Sequence, residues 1–380
     1  MKSKKILAVV GTRPEAIKMA PLILALREQP WADVTVLATA QHRQMLDQVL
    51  SAFSIVPDVD LDLMRPNQSL NQLSARILAR IDEVLVQRRY DAVLVQGDTT
   101  TVMTVALAAF HHGIPVGHVE AGLRTGDLRN PFPEEMNRVL AGRLARWHFA
   151  PTNSARENLE REGVAADAIA VTGNTVIDAL KQVASRPNEI GVPIPDGKRV
   201  VLVTAHRREN FGAPLEEICV ALLRLVDAHP DVEILFPVHP NPNVRRVTDA
   251  MLRDRPGITL CEPLDYLPFV AAMQRATLIL SDSGGVQEEA PALGKPVLVL
   301  RRETERPEAV REGVVRLVGL NADDIVQAAS SLLTDADAYR AMARGVSPYG
   351  DGHASERIVR ILKRDLCVCE SAADVDPVAT

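Results

Sequence analysis

Short apolar runs alternate with helical patterns along the whole of this sequence, and no other feature constrains the fold as strongly. In the first half the strand-like runs are KKILAVV (4–10), DVTVLAT (33–39), DAVLVQ (91–96), IPVGHV (114–119) and WHFAP (147–151). Helical patterns such as EAIKMAPLILALREQ (15–29) and TTVMTVALAAFHH (100–112) lie between them. The second half continues with RVVLVTA (199–205), VEILFPV (232–238), GITLC (257–261), ATLILS (276–281) and KPVLVL (295–300). Such alternation predicts parallel sheets joined by crossover helices. At 380 residues the chain exceeds one ordinary domain and suits two. The expected class is α/β, with two Rossmann-like domains facing a central cleft.

The first domain is placed at 1–172 and the second at 173–353. The stretch ASRPNEIGVPIPDGK (184–198) has most of the linker character, so the boundary falls within 170–198. The amphipathic segment ASERIVRILKRDL (354–366) is expected to return to the first domain, and 367–380 reads as a loose tail.

Composition removes several classes of function. A net charge of −6 speaks against nucleic-acid and anionic-membrane partners. Aromatic residues at 3% give little material for stacking single-stranded bases. No apolar run approaches the roughly 18 residues of a membrane span. The N-terminal apolar run stops at Gly11-Thr12-Arg13-Pro14, as a first strand does and a signal peptide does not. Cys219, Cys261, Cys367 and Cys369 have neither metal-ligand spacing nor a disulfide framework, which fits a cytoplasmic setting.

Polar motifs follow the strands. GTRPE (11–15), QGDTTT (96–101) and HVEAG (118–122) do so in the first half, and AHRREN (205–210), PVHPN (237–241) and SDSGG (281–285) in the second. Ligands of open α/β sheets bind at the carboxyl ends of strands, where these motifs stand. Ser283-Gly284-Gly285 opens a helix, and paired glycines let backbone N–H groups approach an anion. Glu288 and Glu289 follow, and the arginine-rich RRETERPE (301–308) suits a diphosphate. Together they suggest a pocket for a nucleotide-linked sugar. The first strand is followed by no G-x-G-x-x-G, and no P-loop, H-E-x-x-H or G-x-S-x-G occurs, so no cofactor and no metal are expected. What remains is acidic groups in the first half (Asp98, Glu120, Glu134, Glu135) and basic ones in the second (His206, Arg207, Arg208, Arg306). That division suits proton transfer by one half and retention of a diphosphate leaving group by the other.

Each candidate also has a plain structural reading. Arg13 and Lys18 could be solvated charges on the first helix. Asp98 could cap the helix that begins at Thr99–Thr100. Glu120 after an apolar strand would be a costly buried charge without a partner or a task. Glu134 could be a first-turn helix charge, His206 a solvated loop histidine, and His239 a turn former.

Taken together, GTRPEAIKMAP (11–21), TAQHRQMLDQ (39–48), QGDTTT (96–101), GHVEAGLRTGD (117–127), PFPEEMNR (131–138), GNTVIDAL (173–180), TAHRREN (204–210), PVHPNPNVR (237–245) and SDSGGVQEEAPALGKPVLVL (281–300) resemble the non-hydrolysing UDP-N-acetylglucosamine 2-epimerases. The resemblance runs from about Lys4 to Leu362. It implies a GT-B-like arrangement of the two domains and reversible inversion at C2 of UDP-GlcNAc to give UDP-N-acetylmannosamine, a precursor of bacterial surface polysaccharide. The implied route is elimination of UDP to a 2-acetamidoglucal followed by re-addition. By motif, Asp98, Glu120, Glu134 and His206 take the catalytic positions. Arg13, Lys18, Ser283, Gly284, Gly285, Glu289 and Arg306 fall on UDP-binding positions, with Glu289 toward the ribose. Asp98, Glu120 and His206 count among the substrate contacts as well. YLPF (266–269) resembles a loop against uracil, where Phe269 would pack beside the base. Leu264, just before it, departs from the polar residue of some members. Gln41, His42 and Gln44 match a site for a second, activating UDP-GlcNAc, although NQS (67–69) lacks an arginine found there in some relatives. A homodimer is expected. The alternatives are a 2-epimerase of another UDP-sugar such as a 2,3-diacetamido uronic acid, a hydrolysing relative, a GT-B glycosyltransferase and a catalytically silent UDP-sugar sensor.

Overall fold

The computed structural model describes residues 3–39, 43–65, 68–187 and 189–367. Gln41, His42 and Asn67 lie outside these, as do 368–380 and the side chain of Gln44, which sits in the helix Arg43–Ala52. The chain forms two compact units, the first running through Ala179 and resuming at Tyr349, the second spanning Leu180–Pro348.

The first unit is built on a seven-stranded parallel sheet: β1 (Lys4–Val10), β2 (Ala32–Ala38), β3 (Val59–Asp60), β4 (Ala92–Gln96), β5 (Val116–Val119), β6 (Trp147–Ala150) and β7 (Ile169–Val171), in the order β3-β2-β1-β4-β5-β6-β7. Strand β1 pairs with β2 from Lys4↔Ala32 to Val10↔Ala38 and on its other side with β4, from Ile6↔Ala92 to Ala8↔Leu94. Covered on both faces by helices, β4 is buried throughout, so it reads as a continuous apolar run without alternation. Leu7, Val9, Val93 and Val95 pack with Ile77, Ile81 and Val105 from the covering helices.

The second unit has six parallel strands: β8 (Arg199–Thr204), β9 (Val232–Pro237), β10 (Ile258–Cys261), β11 (Ala276–Ser281), β12 (Val297–Val299) and β13 (Val315–Leu317), ordered β10-β9-β8-β11-β12-β13. Its core joins Val201, Val203, Ile234, Phe236, Leu278 and Leu280 to Leu215, Ile218 and Leu222 of the helix Ala213–Ala228. Both sheets are therefore doubly wound α/β, in agreement with the strand-and-helix alternation.

Three strands are absent from the sequence reading. β3, β7 and β13 are two or three residues long and each carries exposed or half-exposed positions, so none produces a distinct apolar run. The division between units also differs in place. It falls inside the helix Thr175–Ala184, between Ala179 and Leu180, a little beyond the 172/173 position expected from the sequence. Asp178 holds the start of that helix with the first unit, its carboxylate accepting from Ala354 N at 3.2 Å and Ser355 N at 2.7 Å. The linker-like stretch 184–198 belongs to the second unit, where Gln274 Nε2 donates to Ala184 O at 2.9 Å. The helix Ala354–Cys367 returns to pack on the first helix, Arg13–Arg27. Among the described residues no helix is long and apolar enough to cross a membrane.

Candidate active site

Strand order brings the polar motifs together within each unit. In the first, β1, β4 and β5 are neighbours, so the turns after Val10, Gln96 and Val119 lie side by side at the carboxyl edge of the sheet. The order of strands reverses between β1 and β4, which makes this edge the switch point where such sheets bind ligands. In the second unit the reversal lies between β8 and β11, and the turns after β9, β8 and β11 meet there in the same way.

The turn after β1 is set by a reciprocal cap. Thr12 Oγ1 accepts from Glu15 N, while Glu15 Oε2 accepts from Gly11 N at 2.5 Å and Thr12 N at 2.8 Å. A side chain at Gly11 would place its Cβ 2.7 Å from Thr39 Oγ1 and 2.8 Å from Thr101 Oγ1, so only glycine fits. Thr99 Oγ1 donates to the other Glu15 oxygen at 2.5 Å. Burial nevertheless pushes the Glu15 carboxyl up to about 7, against these hydrogen bonds. Arg13 and Lys18, on this helix, are half-buried.

Glu120 carries the densest set of contacts. It is buried with φ at +64°, a left-handed conformation that costs a non-glycine residue about 1–3 kcal/mol unless its surroundings impose it. The surroundings do so. Lys18 Nζ lies 2.7 Å from both carboxylate oxygens, Gln96 Nε2 donates to Oε2, and Asn174 Nδ2 donates to Oε1 at 3.1 Å. Asp98 pairs with Arg138 at 2.5 Å, and Asn137 Nδ2 holds its backbone carbonyl at 2.9 Å. The capping alternative for Asp98 is corrected: Thr99 is the cap, its hydroxyl accepting from Val102 N, because the Asp98 side chain turns to Arg138 instead. Desolvation and the neighbouring Glu120 charge hold the Asp98 carboxyl above the ordinary range, against the attraction of Arg138. Glu134 begins the helix Glu134–Leu144, is half-buried, and has no side-chain partner among the described residues. Its neighbour Glu135 is structural, buried beneath the turn it anchors through Thr125 N and Gly126 N, each at 3.0 Å.

In the second unit Asp282 organises the turn after β8. One of its oxygens accepts from His206 N and Arg207 N at 2.8 Å and from Asn210 Nδ2 at 2.9 Å; the other lies 3.1 Å from His206 Nδ1. Burial raises the Asp282 carboxyl, but His206 and the two backbone donors outweigh it and hold it below its usual range. The His206 ring stacks on His239 at 5.9 Å, so His239 faces this turn as well as shaping its own. Ser283 precedes the short helix Gly284–Glu289. A Cβ on Gly284 would meet nothing nearer than Arg207 Nη2 at 3.8 Å, and one on Gly285 nothing nearer than Glu289 Oε2 at 3.7 Å. Neither glycine has positive φ, so the fold itself does not demand them. Glu288 and Glu289 are both buried: Arg306 Nε donates to Glu288, and Tyr266 Oη donates to Glu289 at 2.7 Å. YLPF is the first turn of the helix Tyr266–Arg275, not a loop, with Phe269 half-buried and Leu264 half-buried just ahead of it.

Several supporting residues were not anticipated as such from the sequence. Glu15 could have been found from the T-x-x-E spacing of a capping box. Gln96, Arg138, Asn174, Tyr266 and Asp282 become visible only when their distant partners are brought together. Arg207, noted in sequence only as one of several basic residues, lies beside Gly284.

These features define a class: two doubly wound Rossmann-like units, the first with clustered carboxylates at its switch point and the second with a His–Asp pair and an open glycine turn. The family model described as UDP-N-acetylglucosamine 2-epimerase matches residues 24–363, and the chain belongs to that family. It is 54% identical over 371 residues to the UDP-N-acetylglucosamine 2-epimerase of Escherichia coli K12, covering 95% of this chain and 99% of that one. It is 54% identical over 375 residues to a probable UDP-N-acetylglucosamine 2-epimerase of Ralstonia nicotianae, with 95% and 99% covered. Among solved structures, the UDP-GlcNAc 2-epimerase of Neisseria meningitidis bound to UDP-GlcNAc superposes with a TM-score of 0.86 at 48% identity, covering 95% of this chain and all of that one.

Proposed function

We propose that this protein interconverts UDP-N-acetylglucosamine and UDP-N-acetylmannosamine by inverting C2, with UDP as the transient leaving group. The observation that carries the reading is the placement of Asp98 and Glu120 at the ends of adjacent strands β4 and β5, in a chain from this family. The hydrogen at C2 is not alpha to a carbonyl, so simple deprotonation there leaves an unstabilised carbanion. Elimination avoids this. A carboxylate takes the C2 proton, the C2–H electrons become the C1=C2 bond, and the C1–O bond breaks to release UDP. UDP then adds back to the 2-acetamidoglucal as a proton is delivered to the opposite face of C2. The sequence is redox-neutral and calls for neither a nicotinamide nor a metal.

In this reading Asp98, Glu120 and Glu134 handle the proton, because two faces of C2 need separate groups. The raised Asp98 carboxyl suits a group that must both accept and return a proton. His206, fixed by Asp282, serves the departing diphosphate, together with the backbone of Ser283, Gly284 and Gly285 and the guanidinium of Arg207. Glycines that the fold does not require are explained by close approach of a ligand to the backbone. Glu289, steadied by Tyr266, is assigned to the ribose hydroxyls and Phe269 to the uracil face. Arg306, whose side chain pairs with Glu288 beside the glycine turn, is assigned to the diphosphate. Arg13 and Lys18 complete the substrate contacts, Lys18 also holding Glu120.

A proton NMR time course with UDP-GlcNAc, without added nicotinamide or metal, tests the assignment. The expected product is UDP-ManNAc, and the same mixture of the two epimers should be reached when the reaction starts from UDP-ManNAc. Release of free N-acetylmannosamine would identify a hydrolysing enzyme, and an unchanged spectrum would reject the substrate.

A further inference from the structure

We propose that Asn174 is a positioning residue for Glu120, and that it ties the orientation of this carboxylate to both places where the chain crosses between the two units. The proposal rests on the reading of Glu120 as a proton-transfer group. Asn174 is buried, at 2% exposure, and three of its polar groups are committed at once. Its Nδ2 donates to Glu120 Oε1 at 3.1 Å. Its Oδ1 accepts from Val176 N at 3.1 Å, at the start of the helix Thr175–Ala184 in which the chain leaves the first unit. Its backbone N donates at 2.6 Å to Tyr349 O, the residue at which the chain returns.

The surrounding backbone leaves little freedom. Gly173, at φ +89°, lies so close to the returning segment that a Cβ there would stand 3.2 Å from Gly350 Cα. A Cβ on Gly350 would stand 3.4 Å from Asn174 N. The outgoing and returning segments are thus pressed together at the residue whose amide holds Glu120. Glu120 needs such a hold because its left-handed backbone is not a conformation the residue adopts unaided. Lys18 and Gln96 grip the carboxylate from the helix Arg13–Arg27 and from β4, whereas Asn174 is the contact that comes from the crossing.

The chemistry sets the expected phenotype. A hydrogen bond to a carboxylate favours its charged form, so removing the Asn174 donor favours protonation of Glu120. Lys18, Asp98 and His118 are charged or titratable groups that also act on Glu120, and the Asn174 contacts described above do not involve them. Asn174→Ser is the informative variant, since serine keeps an oxygen able to cap the helix but is too short to reach Glu120. The kcat of this variant should fall about tenfold, the scale of a lost hydrogen bond to a charged group, with KM changing less. The acid limb of the kcat profile should move up by about one pH unit, the same factor read on the pH axis. Asn174→Gln, which keeps a donor, should recover part of the loss. Circular dichroism and the melting temperature check that each variant folds.

Glu120→Gln is measured alongside to separate the two ideas. If it turns over at near-native rate, the catalytic reading of Glu120 fails. If it is inactive while folded Asn174→Ser keeps native kcat and an unmoved pH profile, the proposal for Asn174 is overturned. A fall in kcat with no movement of the acid limb also overturns it, because that pattern belongs to a general structural defect.

Discussion

Replacing Glu134 with glutamine should lower turnover by about 10²–10⁴, the usual worth of a positioned proton-transfer group, while leaving UDP affinity close to native. Glu134 is the cleanest of the three carboxylates to test. Asp98→Asn breaks the ion pair with Arg138, and Glu120→Gln loosens the grip of Lys18, so each of those changes disturbs a neighbour along with the chemistry. Glu134 stands half-buried at the first position of its helix with no side-chain partner among the described residues, and its amide removes a charge without orphaning one. A carboxylate in the first turn of a helix contributes only about 0.3–1 kcal/mol to stability, so the variant should fold normally. Steady-state kinetics with UDP-GlcNAc and calorimetric titration of UDP provide both numbers. Turnover within a few-fold of native would remove Glu134 from the mechanism.

The first unit should also carry an acid sensitivity rooted in two buried histidines. His118 and His148 are paired across β5 and β6, and both are almost wholly buried. Desolvation lowers each to about 4, against ordinary values of 6.5. The sign follows from linkage. Between about 6.5 and 4 the unfolded chain takes up protons that the folded unit refuses, so these groups cost stability as pH falls. At about pH 5 the cost is about 2 kcal/mol per histidine. Glu15 works in the opposite direction. Its carboxyl is pushed up to about 7, so the folded unit takes up a proton there before the unfolded chain does and gains stability as pH falls from 7 toward 4.5. The native slope is therefore a difference, and the diagnostic quantity is the comparison with a His118→Gln/His148→Gln variant. Moving from about pH 7 to about pH 5, the variant should gain about 4 kcal/mol relative to the native protein, twice the cost of one histidine. The chain's two tryptophans, Trp31 and Trp147, both lie buried in the first unit, so their fluorescence in urea titrations follows that unit. A difference independent of pH would show that the histidines are not held neutral.

The fold was legible wherever burial on both faces wrote a continuous apolar run. DAVLVQ and RVVLVT are central strands and read unambiguously, whereas Val59–Asp60 and Val315–Leu317 are short and half-exposed and leave no trace. Proline and glycine in 184–198 suggested a linker, but composition reports irregular backbone, not which unit it packs on. The candidate site was legible in part for a related reason. A charge such as Glu120 at the end of an apolar strand needs a partner, and Lys18 supplies it. The identity of that partner, and of Arg138 for Asp98 or Tyr266 for Glu289, depends on strand order and on separations of tens of residues, which local pattern does not encode. The Asp98 cap failed for a simpler reason: Thr99 is an equally good cap one residue later, and only the structure shows which hydroxyl or carboxylate faces Val102 N.

The central claim is that C2 loses its proton during turnover, and epimerisation in deuterated water tests it most directly. UDP-GlcNAc converted in D2O should give UDP-ManNAc carrying deuterium at C2, with label also appearing in the recovered UDP-GlcNAc as the reaction reverses. Loss of the C2 proton resonance should keep pace with formation of the epimer. Epimer formed with its C2 proton fully retained would contradict proton removal by these carboxylates, and with it the elimination route.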